Sequence, residues 1–139
     1  MKQKEVYTAY IDGASSGNPG DAGIGIIIYK NKEEILRVSR YIGMQTNNFA
    51  EYKAFLSLLE ILDKHSIKNI KVFTDSELLV KQLKGEYKIN NEAIKKFITE
   101  IKKYKKIKYE IEHISREENK EADKLAKQAS KRGGKLKDV

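Results

Sequence analysis

Apolar and polar positions follow two rhythms along this chain, and the switches between them mark out its elements. Residues 6–11 alternate loosely, residues 23–29 (GIGIIIY) form a β-branched run, and residues 35–42 (ILRVSRYI) make a third strand candidate. The short connections between the three predict an antiparallel meander. The period becomes helical over residues 49–62, where Phe49, Tyr52, Leu56 and Leu59 share a face with Phe55 and Leu62 beside them. A short apolar strand follows at 70–74 (IKVFT), then a helix from about 76 to 84 that Gly85 stops. Residues 90–104 are amphipathic through Ile94, Phe97, Ile98 and Ile101, residues 107–114 alternate as a strand, and residues 117–130 close as a helix. The order βββ-α-β-α-α-β-α predicts an α/β fold built on a five-stranded mixed sheet. Strands 1–3 form the antiparallel meander, the later strands arrive parallel through helical crossovers, and helices cover both faces. Residues 1–131 are expected to form one domain and residues 132–139 a basic, frayed tail.

Composition narrows the chemistry. The chain has no cysteine, which removes disulfides, thiolate catalysis and cysteine-ligated metal, and its two histidines are too few for a typical histidine zinc site. Any metal must therefore be held by oxygen, which favours magnesium or manganese. A net charge of +8 suits a polyanionic partner through counterion release, and equally suits a surface coated with solvated lysines. No apolar run approaches the roughly 20 residues that cross a bilayer. The opening MKQKEVYTAYID lacks an apolar secretion core, so a cytoplasmic protein, monomeric and without a membrane partner, is expected.

Four carboxylates stand at the expected ends of elements. Asp12 sits where the first strand runs into a glycine-rich turn (YIDGASSGNPGDAG), and Asp75 where the fourth strand runs into a helix (VFTDSELL). Glu51 lies early in the long helix and Asp123 about two turns into the last one. Each has an ordinary reading. Asp12 suits a turn, Glu51 closes a capping box with Asn48, Asp75 caps a helix, and Asp123 is a solvated helix charge. Jointly they form a pattern that can converge at one end of the sheet, beyond the carboxyl ends of neighbouring parallel strands. Converging carboxylates raise one another's pKa unless cations sit among them, and two divalent ions about 4 Å apart would make a phosphodiester-cleaving centre.

At these residues the chain resembles the type 1 ribonuclease H family. Asp12, Gly13, Gly17, Asn18, Pro19 and Gly20 match its first motif, and TNNFAEYKA its second through Thr46, Asn47, Asn48 and Glu51. TDSELLV resembles the third through Asp75 and Ser76, and REENKEADKLA the fourth through Asn119, Asp123 and Ala126. The resemblance implies a ribonuclease H-like fold and cleavage of the RNA strand of RNA–DNA hybrids without base specificity, leaving 5′-phosphate and 3′-hydroxyl ends. It implies Mg²⁺ or Mn²⁺, two ions per site, held by Asp12, Glu51, Asp75 and Asp123. Gly13, Ala14, Ser15, Asn18, Thr46, Asn47, Asn48 and Ser76 are the expected substrate contacts. A near-bare backbone approaches a minor groove closely, and asparagine amides can read a 2′-hydroxyl.

Two departures from the family pattern leave alternatives open. The stretch LKGEYKINNEAIKKF is short and lacks tryptophan where many members carry a basic protrusion. Grip on the hybrid must then come from elsewhere; Lys95, Lys96, Lys102, Lys103, Lys105, Lys106 and Lys108 are candidates, and such lysines more often simply coat amphipathic helices for solubility. His113 has the spacing of the family's mobile histidine, but a capping box from Ser115 to Glu118 would start the last helix at once. Arg116 is the other candidate for a phosphate or leaving-group contact, while His65 reads as a residue at a helix end. A broader nuclease of A-form duplexes that also cuts double-stranded RNA, and a catalytically weak hybrid-binding module, are the competing functions.

Overall fold

The computed structural model describes residues 5–136, with side chains as far as residue 131. Strands β1 (Tyr7–Ser15), β2 (Gly20–Lys30) and β3 (Glu33–Gln45) form the meander. They are followed by α1 (Asn47–Lys64), β4 (Asn69–Thr74), α2 (Glu77–Leu83), α3 (Glu92–Ile101) and β5 (Lys108–His113). A short 3-10 turn (Glu117–Asn119) then leads into α4 (Lys120–Leu136). The sheet order is β3-β2-β1-β4-β5, with β4 parallel to β1 and β5 parallel to β4. Among the described residues no helix is long and apolar enough to cross a membrane.

The two faces of the sheet are covered differently. On one face Ala9, Ile11, Ile24, Ile26 and Ile28 meet Tyr52, Phe55, Leu59 and Leu62 of α1 in the main core. Each large side chain buried there contributes roughly 1.5–3 kcal/mol. Helix α3 joins this layer through Phe97, whose ring lies 4.7 Å edge-on from Phe49 and 5.8 Å stacked on Tyr52. The other face receives α4 on a seam of small residues. A side chain at Gly25 would stand 2.2 Å from the Ala122 carbonyl oxygen, and one at Gly23 2.5 Å from that of Ala126. The helix backbone therefore rests directly on β2.

Some boundaries differ from the sequence expectation, and two matter for function. Strand β1 does not end before Asp12. It continues to Ser15, with Asp12 paired opposite Gly25, because the antiparallel ladder with β2 carries the backbone through the small residues. On its other side β4 stops alongside Ile11, at Thr74, so the last residues of β1 have β2 as their only strand neighbour. Helix α4 runs on to Leu136, into the stretch expected as a tail, and residues 137–139 of that tail lie outside the described residues.

Candidate active site

Glycine 13 shows how the site is assembled. A β-carbon added there would lie 2.3 Å from the Ala50 carbonyl carbon and 2.5 Å from the Glu51 nitrogen. The bare residue lets the start of α1 press against β1 directly beside Asp12. Thr46 caps that helix by accepting from the Phe49 N–H at 3.1 Å, so Thr46, and not Asn48, is the cap. At the end of β4, Thr74 Oγ1 accepts from the Ser76 N–H at 3.1 Å, and Ser76 caps α2 by accepting from the Leu79 N–H. Asp75 is thereby left at the corner with its side chain uncommitted to capping. Asp12, Glu51 and Asp75 each place a carboxylate oxygen within 4.8 Å of the others.

These acids are held against their own solvation. Asp12 is 3% exposed and Glu51 5%. Burial drives the Asp12 pKa far above the carboxylate range, and the charges of Glu51 and Asp75, then Asp123, push it further. Burial and then Asp75 also raise Glu51, partly offset by hydrogen bonds from the proton on Asp12 and from the Gly13 N–H. Glu51 Oε2 is buried and without a partner. Three converging oxygen donors, a shortage of positive charge and an unmet acceptor fit a hard divalent cation.

Asp123 stands beside this trio without belonging to it. It is near enough to Asp12 to raise it, while its Oδ2 pairs with Lys127 Nζ at 3.0 Å one turn further along α4. His113 ends β5 in register with Thr74, exposed at the rim. Its register partner Thr74 immediately precedes Asp75, which locates it beside the Asp75–Ser76 corner. The capping box forms as expected: Glu118 accepts from the Ser115 N–H and hydroxyl, and Ser115 accepts from the Glu118 N–H. Arg116 is exposed on the turn between them.

The expected substrate contacts divide into exposed and structurally occupied groups. Asn18 and Asn47 are exposed and joined, the Asn47 N–H donating to Asn18 Oδ1 at 3.1 Å, which ties the glycine loop to the start of α1. Asn48 is half-buried in the first turn of α1, and Ala14 half-buried near the end of β1. Ser15 gives its hydroxyl to the Gln45 carbonyl at 2.8 Å and to that of Gly17, while Gly13 is buried under α1. The lysines also separate. Lys108 pairs in register with Asn69, five residues from the His113–Thr74 pair, which puts it about 17 Å along the sheet from the carboxylates. Lys102, Lys103, Lys105 and Lys106 precede it at that far end, whereas Lys95 and Lys96 immediately precede Phe97, which packs against the start of α1. Between α2 and α3 stand only residues 84–91, with Lys81 Nζ 4.9 Å over the exposed Tyr87 ring.

Sequence reasoning overlooked Gly13, Gly23 and Gly25 as packing contacts, and Asn119 as more than a motif match. Asn119 is 1% exposed, and its Nδ2 donates to the Ile11 carbonyl at 2.9 Å. The signal for the glycines was present in GIGII facing the alanines of α4; nothing local marked the asparagine.

Comparison with known proteins agrees with this geometry. A family model for reverse-transcriptase-like domains matches residues 10–129. Ribonuclease HI of Halobacterium salinarum is 34% identical over 132 residues, covering 87% of this chain and 62% of that protein. Ribonuclease HI of Rickettsia prowazekii is 34% identical over 135 residues, covering 86% of this chain and 87% of that one. The solved structure of LC11-RNase H1 in complex with an RNA/DNA hybrid superimposes with a TM-score of 0.86 at 36% identity, covering 91% of this chain and 98% of its own. The chain spans 62% of the halobacterial protein's length and 34% of three mycobacterial relatives'. The five-stranded mixed sheet with its helices is the fold of the solved relative.

Proposed function

The chain belongs to the type 1 ribonuclease H family, and from that premise we propose that it is an endonuclease cutting the RNA strand of RNA–DNA hybrids. The observation that carries this reading is the meeting of buried Asp12 and Glu51 with half-buried Asp75 within 4.8 Å. The solved relative held with an RNA/DNA hybrid supports the substrate.

In this reading Asp12, Glu51 and Asp75 hold the cation site, with Asp123 at its edge. A pair of hard divalent cations, magnesium or manganese, bound there supplies water activation and neutralises charge on the departing ribose oxygen. Water oxygen bonds to phosphorus as the bond from phosphorus to the 3′-oxygen breaks. The products are a 5′-phosphate and a 3′-hydroxyl, and the leaving oxygen takes up a proton. His113 at the rim carries that proton, and Arg116 contacts the phosphate. Asn18, Asn47 and Asn48 face the minor groove with Ala14, where amides donate to and accept from 2′-hydroxyls. No described hydrogen bond uses Asn18 Nδ2, which leaves it as a donor. Gly13, Ser15, Thr46 and Ser76 act by shaping the backbone around this surface.

The test is incubation of wild-type protein and Asp12→Asn with labelled hybrid and Mg²⁺ or Mn²⁺. Wild type should release fragments ending in 3′-hydroxyl groups, and the folded variant should release none. Intact hybrid after incubation with folded wild type would overturn the assignment. Double-stranded RNA in a parallel arm separates hybrid specificity from general A-form cleavage.

A further inference from the structure

Asn119 takes no part in the chemistry above, yet at the end of the 3-10 turn that leads into α4 it makes a buried side-chain hydrogen bond to the backbone of β1. We propose that Asn119 is a positioning residue whose amide fixes the first turn of α4 against β1 and so sets where Asp123 stands relative to Asp12. The inference rests on the nuclease reading of that site.

The geometry supports it step by step. The amide bridges 108 positions of sequence to reach the carbonyl of Ile11, the residue immediately before Asp12. Four residues later on the same helical stripe comes Asp123, and four after that Lys127, its ion-pair partner. The rest of the contact between α4 and the sheet runs chiefly along β2. Under Ala122 and Ala126 lie Gly25 and Gly23, which offer no side chain to interlock with the helix. Ser39, donating to the Leu125 carbonyl at 2.7 Å, and Arg37, paired with Glu121 at 3.3 Å, hold α4 to the edge strand β3. Neither reaches the strand that carries Asp12. The Asn119 bond does, and the fold keeps it although the partner atom, Oδ1, is buried with its hydrogen bond unmet. A residue kept only for packing would not need an amide there.

The experiment titrates Mn²⁺ into folded protein by calorimetry and measures hybrid cleavage alongside it. Asn119→Leu keeps the side-chain volume and removes the donor. It should weaken Mn²⁺ affinity and lower kcat by roughly 10–100-fold, the range for residues that orient metal ligands, with KM for hybrid nearly unchanged. Ser57→Ala, which removes a buried, unpartnered hydroxyl on α1, should change neither. If Asn119 acts through Asp123, adding Asn119→Leu to Asp123→Asn should change affinity by less than about twofold, the non-additivity of coupled residues. Wild-type affinity in Asn119→Leu, or losses that multiply in the double variant, would overturn the proposal. Should Asn119→Leu fail to fold, Asn119→Ser enters the same cycle. A wild type that binds Mn²⁺ but leaves hybrid intact would sink the nuclease reading and still leave the positioning role to the titration.

Discussion

The two ends of the sheet carry opposite charges in opposite circumstances. At the carboxyl ends of β1 and β4, Asp12 and Glu51 are buried among like charges. At the other end Lys64 lies in the last turn of α1, Lys102 caps α3, and Lys105, Lys106 and Lys108 are exposed nearby. Lysines at helix C-termini complement the helix dipole and keep their water, so they stabilise by a few tenths of a kcal/mol each, up to about 1. The buried acids raise the free energy of the metal-free fold. A net charge of +8 therefore gives no hint of the buried acids. Chemistry is better sought where a fold holds charge against its preference than where charge is plentiful.

The sharpest way to break this comparison is Asp12→Asn. Cleavage should fall by at least about 10⁴-fold, as for loss of a central catalytic group. In EDTA at neutral pH the same variant should unfold at a higher temperature than wild type, because a buried acid that the fold keeps from ionising is gone. A lower midpoint would show that Asp12 is not held at a cost. Next comes Gly13→Ala, whose methyl would meet the α1 backbone at 2.3 Å. Moving Glu51 by a fraction of an ångström to an ångström should reduce turnover by about 10²-fold. Overpacking should lower stability by roughly 1–3 kcal/mol in chemical denaturation.

The pH dependence of the metal-free protein sharpens the same contrast. Burial and mutual repulsion raise the folded pKa of both Asp12 and Glu51, so the folded state binds protons more tightly than the unfolded one. The resulting stability is complete below the unfolded value of about 4 and drains away as pH rises toward the raised values. Denaturation in EDTA should thus show stability falling from about pH 5 to 8, and millimolar Mg²⁺ should flatten that slope; an unchanged slope would remove the cation from the site. The smallest effect belongs to the far end. Lys105→Gln with Lys106→Gln should alter stability by no more than about 0.5 kcal/mol and cleavage hardly at all. A loss rivalling that of Gly13→Ala would mean the basic end grips substrate after all.

Much of this was legible in the sequence because it depends on local pattern. The β-branched runs and the 3.6-residue period gave the element order, and the four acids were recognisable from their motifs. Their convergence was expected too, and Asp12, Glu51 and Asp75 do meet; what the sequence hid is the means, because it depends on Gly13 admitting a helix backbone, and an absent side chain has no periodicity. Strand ends were misjudged at Asp12 for a related reason: β1 continues because β2 runs beside it, a partner more than ten residues away. The lysines at 102–108 read both as substrate grips and as solubilising charges in the sequence, and only the register of β5 with β4 assigns them a side of the molecule. Asn119 speaks to a carbonyl 108 residues distant, and no window of sequence reports such a bond.

The bare seam beneath α4 makes the gap between sheet and helix an adjustable thickness. Gly23 and Gly25 set it at its minimum, so any larger residue there acts as a shim, tilting α4 outward and lifting Asp123 with it. A graded series at Gly25 from alanine upward would read out how much clearance the acidic cluster tolerates, one methyl at a time.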